Sequence, residues 1–187
     1  MGKLDGAIGY LIGPIDRVKD LGKKWRQDLI KKLSYTKIKF LDPTNKLRGL
    51  TKEVDGEQVR IKALKKNEQW EELSLLMKQV VRSDLRCIDY ADFVIMYVDP
   101  GVHMFGSIHE LTVAVNQKKP ILVVIKGGKT KASSWLYGIV DYNFIFDSFE
   151  ELYIYISKID SGEVKLNDRW VLIRKQLQNK KQFKEHY

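Results

Sequence analysis

The chain contains 187 residues, 44% of them hydrophobic, which fits one domain with a single core that needs neither a metal nor disulfides for stability. Its 33 Lys and Arg residues outnumber its 24 Asp and Glu residues and give a net charge of +9. The basic residues are scattered among acidic ones without a stacking-aromatic motif, so the charge favours attraction of a small anionic molecule over a nucleic-acid-binding surface.

The sequence also argues against disulfide-linked, zinc-binding and membrane-spanning proteins. Its single cysteine, Cys87, cannot form a disulfide within the chain, and no Cys/His group has the spacing of a zinc site. No apolar run approaches the roughly 18 residues that span a membrane, and the first residues lack the layout of a secretion signal. We therefore expect a soluble cytoplasmic protein without a metal or other cofactor.

The first predicted element is a strand from Ala7 to Ile12, which ends at Gly13-Pro14. A second short strand, Lys37 to Leu41, is closed by turn residues at Asp42 to Asn45. Between the two strands we predict a helix, in which large apolar residues recur at helical spacing: Leu21, Trp25, Leu29 and Leu33.

The polar segment from Lys46 to Gly56 contains two glycines and has no clear periodicity. Such a stretch is typical of an insertion or lid, which we predict around residues 46–69. A helix follows from Trp70 to Ile88, because its apolar residues recur every three or four positions. Asp84 falls on the same face as those apolar residues.

Two continuous apolar runs, Phe93 to Val98 and Ile121 to Ile125, are typical of strands that are buried on both faces. Ser107 to Gln117, which lies between them, has helical character. A last short strand is predicted at Asn143 to Phe146, followed by a helix from Phe149 to Ile159.

Strands and helices thus alternate along the chain, which predicts a single-domain α/β fold with a doubly wound parallel sheet, a three-layer sandwich of the Rossmann or flavodoxin type. Ligands of such sheets bind beyond the carboxyl ends of the strands, where the strand order reverses. Four loops are expected at that edge, at residues 13–17, 42–45, 99–107 and 126–134.

Glu110 is the most informative candidate residue. Ser107 and Glu110 have the spacing of a capping box, which would give both a structural role at the start of a helix. Alternatively, a carboxylate in the first turn of a helix at the ligand edge would be held in its ionised form by the helix dipole, which suits a nucleophile.

Asp84 is the second candidate, because a carboxylate on an apolar helix face is costly to bury. Burial would favour its protonated form and prepare it to donate a proton. The alternative is structural: the helix ends early and Asp84 caps the next element, or it pairs with Arg82 or Arg86.

The remaining signals are weaker. Gly13-Pro14 has none of the pattern of a dinucleotide or phosphate-loop fingerprint, although its backbone could face a ligand. Gly127-Gly128 is more typical of a simple turn. His103 and His109 do not have a spacing that requires a metal.

Five short motifs occur in the order found in nucleoside 2-deoxyribosyltransferase-like proteins, including phage-encoded ones. A phage-encoded member would be located in the cytoplasm of the host. The motifs are YLIGPI at 10–15, DPT at 42–44, DLR with DYAD at 84–86 and 89–92, GSIHEL at 106–111, and KPI at 119–121. The chain resembles this family from about Ile8 to Phe146.

The resemblance implies that Glu110 attacks the anomeric carbon of a deoxynucleoside and that Asp84 is the acid/base group in a retaining, two-step reaction. The sugar would pass to a second free base. The motifs and the loops at the ligand edge give these candidates for substrate binding: Tyr10, Gly13, Pro14, Ile15, Asp42, Asp92, Asp99, Gly106 and Ser107.

The chain departs from the family pattern six residues before Glu110, where transferases often carry an aspartate and nucleotide-cleaving relatives a serine. Here the residue is Met104. Hydrolysis of a deoxynucleoside 5′-monophosphate therefore stays open as an alternative to base exchange. A third hypothesis, supported mainly by the basic charge, is a non-catalytic module that binds nucleotides.

Family members also form oligomers in which a neighbouring subunit completes each pocket. The resemblance therefore implies a homo-oligomer. The candidates for this contact are Ser133 to Trp135, Asn143 and Tyr187.

Overall fold

The structure is a computed structural model that describes residues 2–45, 56–167 and 169–170. Its centre is a sheet of five parallel strands in the order β2-β1-β3-β4-β5. The strands are β1 (Ile8–Ile12), β2 (Lys39–Leu41), β3 (Phe93–Val98), β4 (Ile121–Ile125) and β5 (Ile145–Phe146). The predicted α/β class and the doubly wound parallel sheet are confirmed.

In the described residues, five α-helices connect and cover the strands. They are α1 (Lys23–Lys32), α2 (Gly56–Lys66), α3 (Trp70–Tyr90), α4 (Phe105–Asn116) and α5 (Phe149–Ser161). Residues 46–55 of the predicted insertion lie outside the described part of the chain, whereas its remainder contains α2. None of the helices in the described residues is long and apolar enough to cross a membrane.

The sheet is buried on both faces, as its continuous apolar strands predict. Because side chains alternate along a strand, Tyr10 and Ile12 face a core cluster that includes residues of α3 and α4, whereas Leu11 faces a cluster with residues of α1 and α5. The three layers are therefore α3 and α4, the sheet, and α1 and α5. Tyr10 is thereby directed toward the same layer as Asp84 and Glu110.

The strand order reverses between β1 and β3. β1 pairs with β2 on one side and with β3 on the other, and β3 in turn pairs with β4. The chain leaves β1 for α1 on one face of the sheet and leaves β3 for α4 on the other face. The two connections diverge, which opens space at the carboxyl ends of these two strands.

A buried arginine holds the connection after β1. Arg26 of α1 has no exposed surface, and its guanidinium donates hydrogen bonds to the carbonyl oxygens of Gly13 (3.0 Å) and Gly22 (2.9 Å). It also lies 3.7 Å from the Asp42 carboxylate, in an ion pair. Gly22 has a φ of 68°, and a Cβ there would lie 2.4 Å from the Pro14 carbonyl oxygen. Arg26 and Gly22 therefore fix the loop after β1 against the start of α1.

We predict that Arg26→Met lowers the free energy of unfolding by about 3 kcal/mol, because it leaves the Asp42 carboxylate and two buried carbonyls without their cationic donor. Urea denaturation followed by circular dichroism would measure the change. Lys31→Met, at an exposed position of the same helix, is the matched control and should change stability by less than about 0.5 kcal/mol. Equal effects of the two substitutions would contradict the role of Arg26.

Candidate active site

A cavity of about 350 Å³ opens where β1 and β3 end. Its walls are the loop of residues 13–17 after β1, the segment 103–107 at the start of α4, one face of α3, and Gln58 and Ile61 of α2. The size is at the lower end of the range of small-molecule sites, and a cavity at the point of strand reversal is the expected ligand site of this type of sheet.

Glu110 and Asp84, the two predicted catalytic carboxylates, both line this cavity. They come from different helices, since Glu110 lies on α4 and Asp84 on α3. Asp84 is 9% exposed and Glu110 is partly buried. The fold thus brings together two acids that are 26 positions apart in the sequence.

Tyr10 ties the sheet to Glu110. Its hydroxyl donates a short hydrogen bond of 2.6 Å to Oε1 of Glu110. Tyr10 is fully buried in β1, which pairs with a strand on each side, so its position is fixed by the sheet. The bond orients the Glu110 carboxylate at the edge of the cavity.

The pKa of Tyr10 depends on both acids. Burial raises the pKa of its phenol well above the ordinary value of 10.0, and the negative charges of Glu110 and then of Asp84 raise that pKa further. Tyr10 therefore keeps its proton at neutral pH and acts as a hydrogen-bond donor.

The start of α4 differs from the prediction. The helix begins at Phe105, and its N-cap residue, Met104, makes no side-chain capping bond. Ser107 is a buried residue of the first turn, and Glu110 lies in the second turn. The capping box is therefore wrong, and so is the placement of Glu110 in the first turn, because the N-cap is Met104, three residues before the Ser107 that the Ser-x-x-Glu pattern suggests. The dipole acts more weakly on Glu110 than expected.

Several predicted substrate-binding residues line the cavity. Gly13, Pro14 and Ile15 form its wall after β1, and Gly106 and Ser107 form part of the wall at α4. His103 and His109 also line it, and no group of three His, Cys, Asp or Glu side chains among the described residues could hold a metal.

Three predicted aspartates lie away from the lining residues of this cavity. Asp42 pairs with Arg26 and accepts hydrogen bonds from the backbone N–H and the hydroxyl of Thr44, both at 2.8 Å. Asp99 forms a 2.7 Å ion pair with Lys126. Both are at the carboxyl edge, but their carboxylates are engaged in local contacts.

Asp92 lies at the opposite edge of the sheet. It directly precedes β3, is 4% exposed, and accepts a 2.8 Å hydrogen bond from the backbone N–H of Ile8 at the start of β1. A carboxylate in this position joins the amino ends of two neighbouring strands. The physical reason for the difference is that the motif precedes the strand, whereas ligands bind beyond its other end.

Arg17 and Gln58 also line the cavity, and neither is among the predicted site residues. Arg17 follows the Gly-Pro-Ile motif and has a φ of 67°, an uncommon conformation for a non-glycine residue. Its place in the loop at the ligand edge was the available signal. Gln58 could not be found in this way, because α2 belongs to a segment without a clear pattern.

The candidates for a subunit contact are exposed where the structure describes them. Trp135 is 79% exposed, and Ser133, Ser134 and Asn143 are also exposed. Tyr187 lies outside the described residues. A homo-oligomer stays a prediction.

The chain resembles known proteins in its fold and not in its sequence. No protein-family model and no curated protein matches the sequence. The 2-deoxyribosyltransferase of Bacillus psychrosaccharolyticus aligns with a TM-score of 0.54 at 14% identity, over 79% of this chain and 90% of that enzyme. The 2-deoxyribosyltransferase from Leishmania mexicana aligns with a TM-score of 0.51 at 15% identity, over 81% and 97% of the two chains.

A CMP N-glycosidase from Clostridium botulinum aligns over 80% of this chain and 98% of its own length, at 16% identity and a TM-score of 0.43. At these identities, the two alignments with the higher scores show that the chain shares the fold of the deoxyribosyltransferases.

The raised pKa of Tyr10 predicts a pH dependence of stability. A pKa that is higher in the folded than in the unfolded protein stabilises the fold fully below about pH 10, and this contribution is lost as the pH rises toward the folded-state pKa. Above about pH 10, we expect the free energy of unfolding of the wild type to fall more steeply than that of Tyr10→Phe, by about 1.4 kcal/mol per pH unit.

Urea denaturation over a series of alkaline buffers would measure both curves. Tyr35→Phe, at an exposed tyrosine, is the control and should keep the slope of the wild type. Parallel curves for the wild type and Tyr10→Phe would show that Tyr10 ionises equally in the folded and unfolded chains.

Proposed function

We propose that this chain is an enzyme of the nucleoside 2-deoxyribosyltransferase type, which cleaves the N-glycosidic bond of a deoxynucleoside and transfers the sugar to another base. The observation that carries the proposal is the hydrogen bond between Tyr10 and Glu110 at the edge of a cavity that Asp84 also lines. An acid oriented by a buried donor, with a second acid in the same cavity, is the arrangement that retaining glycosyl transfer requires.

In the first step, an oxygen of Glu110 forms a bond to the anomeric carbon of the sugar while the bond from that carbon to the base nitrogen breaks. The electron pair of the broken bond goes to the base, and Asp84 donates the proton that neutralises it. The product is a glycosyl ester of Glu110 and a free base.

In the second step, a nitrogen of the incoming base attacks the anomeric carbon and the ester bond to Glu110 breaks. Asp84, now ionised, takes the proton from the incoming base. Two displacements at the same carbon restore its original configuration. Water in place of the second base would give hydrolysis.

Tyr10 contributes to both steps through Oε1 of Glu110. Its hydrogen bond to Oε1 holds the carboxylate in one orientation at the edge of the cavity. The same bond stabilises the carboxylate when the ester breaks, so it makes Glu110 a better leaving group in the second step. The retained proton of Tyr10 is necessary for this role, since a phenolate would repel the carboxylate.

The mechanism predicts that Glu110→Gln lowers kcat for base release by about 10⁴-fold or more, because the nucleophile is lost. Asp84→Asn should lower it by about 10² to 10⁴-fold, with the smaller loss for bases that depart without protonation. The assay incubates a deoxynucleoside with a second free base and follows both bases by chromatography, across a panel of base pairs.

Glu71→Gln, at an exposed glutamate of α3, is the control and should keep the wild-type rate. Intact-protein mass spectrometry after rapid quenching should detect the glycosyl ester on the wild type and not on Glu110→Gln. Wild-type protein that binds nucleosides and nucleotides without releasing any base would instead support the non-catalytic module.

Hydrolysis of a deoxynucleoside 5′-monophosphate is the second candidate function, and Arg17 favours it. The guanidinium of Arg17 belongs to an exposed residue of the cavity wall and forms no ion pair with another described residue. A guanidinium in that position matches the geometry of a phosphate group.

If the monophosphate is the substrate, Arg17→Gln should raise its KM by about tenfold while the KM for the corresponding nucleoside stays nearly unchanged. Base release from monophosphates without an added base would be the assay. Lys118→Gln, at an exposed lysine distant in the fold from the cavity residues, serves as the charge-matched control. An equal change of KM for nucleoside and monophosphate would exclude a phosphate contact by Arg17.

A further inference from the structure

A second opening lies beside the cavity, between α1 and α2. It is a groove of about 550 Å³. Apart from Asp20, its polar lining side chains are basic or neutral: Lys19, Lys23, Lys24, Gln27, Gln58 and Lys62. The loop that follows β1 contributes residues 13–17 to the cavity and residues 19–21 to this groove. One continuous segment of chain therefore runs from the first opening to the second.

Gln58 lines both openings. It is 8% exposed and belongs to the buried face of α2, together with Ile61 and Leu64, which pack against Leu76 of α3. Its side-chain amide forms no hydrogen bond with another residue of the described ranges. Although the residue is largely buried, its amide atoms open onto the cavity and the groove, where a polar ligand would contact them.

The groove is cationic. Four lysines line it. Asp20, the one acidic side chain among its described lining residues, is directed to the start of α1, where its carboxylate accepts hydrogen bonds from the backbone N–H groups of Gly22 (3.1 Å) and Lys24 (3.0 Å). A lysine ammonium group is positively charged and can donate hydrogen bonds but not accept them, so these lysines favour a ligand that is rich in anionic oxygens. A cleft lined by one sign of charge also concentrates such ligands from solution.

We propose that this groove binds the oligophosphate chain of a nucleotide whose sugar and base occupy the cavity. The cavity half of this inference rests on the proposed function, whereas the groove half rests on the lysines and Gln58 alone. Arg17, at the cavity end of the connecting loop, suits the first phosphate, and the lysines beyond Gln58 suit the second and third. A monophosphate would reach only the first of these contacts.

The test measures binding to the full-length wild-type chain by isothermal titration calorimetry with three probes: a deoxynucleoside, the matching deoxynucleoside triphosphate, and inorganic tripolyphosphate. We expect the triphosphate to bind more tightly than either of the other two. The double variant Lys24→Glu/Lys62→Glu should weaken the binding of tripolyphosphate and of the nucleotide by about tenfold or more, with a larger loss at low salt.

The matched control is Lys31→Glu/Lys65→Glu, which makes the same charge change on the same two helices at exposed lysines that do not line the groove. If both double variants weaken tripolyphosphate binding equally, the attraction is a general effect of net charge and the proposal is overturned. It is also overturned if tripolyphosphate does not bind, or if only a single-stranded oligonucleotide binds with dependence on Lys24 and Lys62.

Gln58→Leu tests the link between the two openings, because it removes the shared amide and keeps the size of the side chain. We expect it to weaken nucleotide binding more than tripolyphosphate binding; equal losses would overturn the link. Base release is assayed separately. If the chain binds tripolyphosphate through the lysines but releases no base, the groove proposal stands and the proposed function is rejected. If the chain releases base but does not bind tripolyphosphate, the proposed function stands and the groove proposal is rejected.

Discussion

The site depends on one topological constraint, the divergence of the chain after β1 and β3. Adjacent parallel strands are hydrogen-bonded along their length. Where the connections that follow two adjacent strands lead to the same face of the sheet, they leave no space at the carboxyl ends of those strands. Here the connection from β1 leads to α1 on one face and the connection from β3 leads to α4 on the other. The opening between them is where the cavity forms, and α3 and α2 close its remaining sides.

Within that opening, rigid elements fix the polar groups. Tyr10 is held by its place in the sheet, and its hydroxyl reaches Glu110 on a helix of the covering layer. On the opposite face of the sheet, Arg26 binds the carbonyl of Gly13, so the wall after β1 is anchored from behind. Both contacts remove freedom from groups that face the cavity, which is the preorganisation that the proposed catalysis requires before substrate binds.

The sequence predicts the sheet well because buried parallel strands are continuous apolar runs, and it predicts the meeting of Glu110 and Asp84 through their motifs. It does not predict how the acids are oriented. The Ser107-x-x-Glu110 pattern suggests a cap at Ser107, but the N-cap of α4 is Met104, three residues earlier, and Ser107 is buried in the first turn. Arg26 resembles an ordinary polar residue of an amphipathic helix, since nothing local shows that two backbone carbonyls and the Asp42 carboxylate surround it. Asp92 and Asp42 are acids in family-like motifs, but their contacts with Ile8 and Arg26 join residues that are distant in sequence and are visible only in the fold.

The distribution of charge explains how a basic chain can present an acidic site. Asp84 and Glu110 lie at one part of the cavity, whereas Arg17 and the lysine groove lie along the loop that leaves it. A nucleotide has the same polarity, because its anomeric carbon gains positive charge during bond cleavage while its phosphates stay negative. Bound with the phosphates toward the lysines, it would present that carbon to the carboxylates; bound in reverse, it would place phosphate against two acids. The net charge of +9 would then orient the nucleotide as well as attract it. Binding in the reverse direction would be disfavoured by repulsion between its phosphates and the two acids.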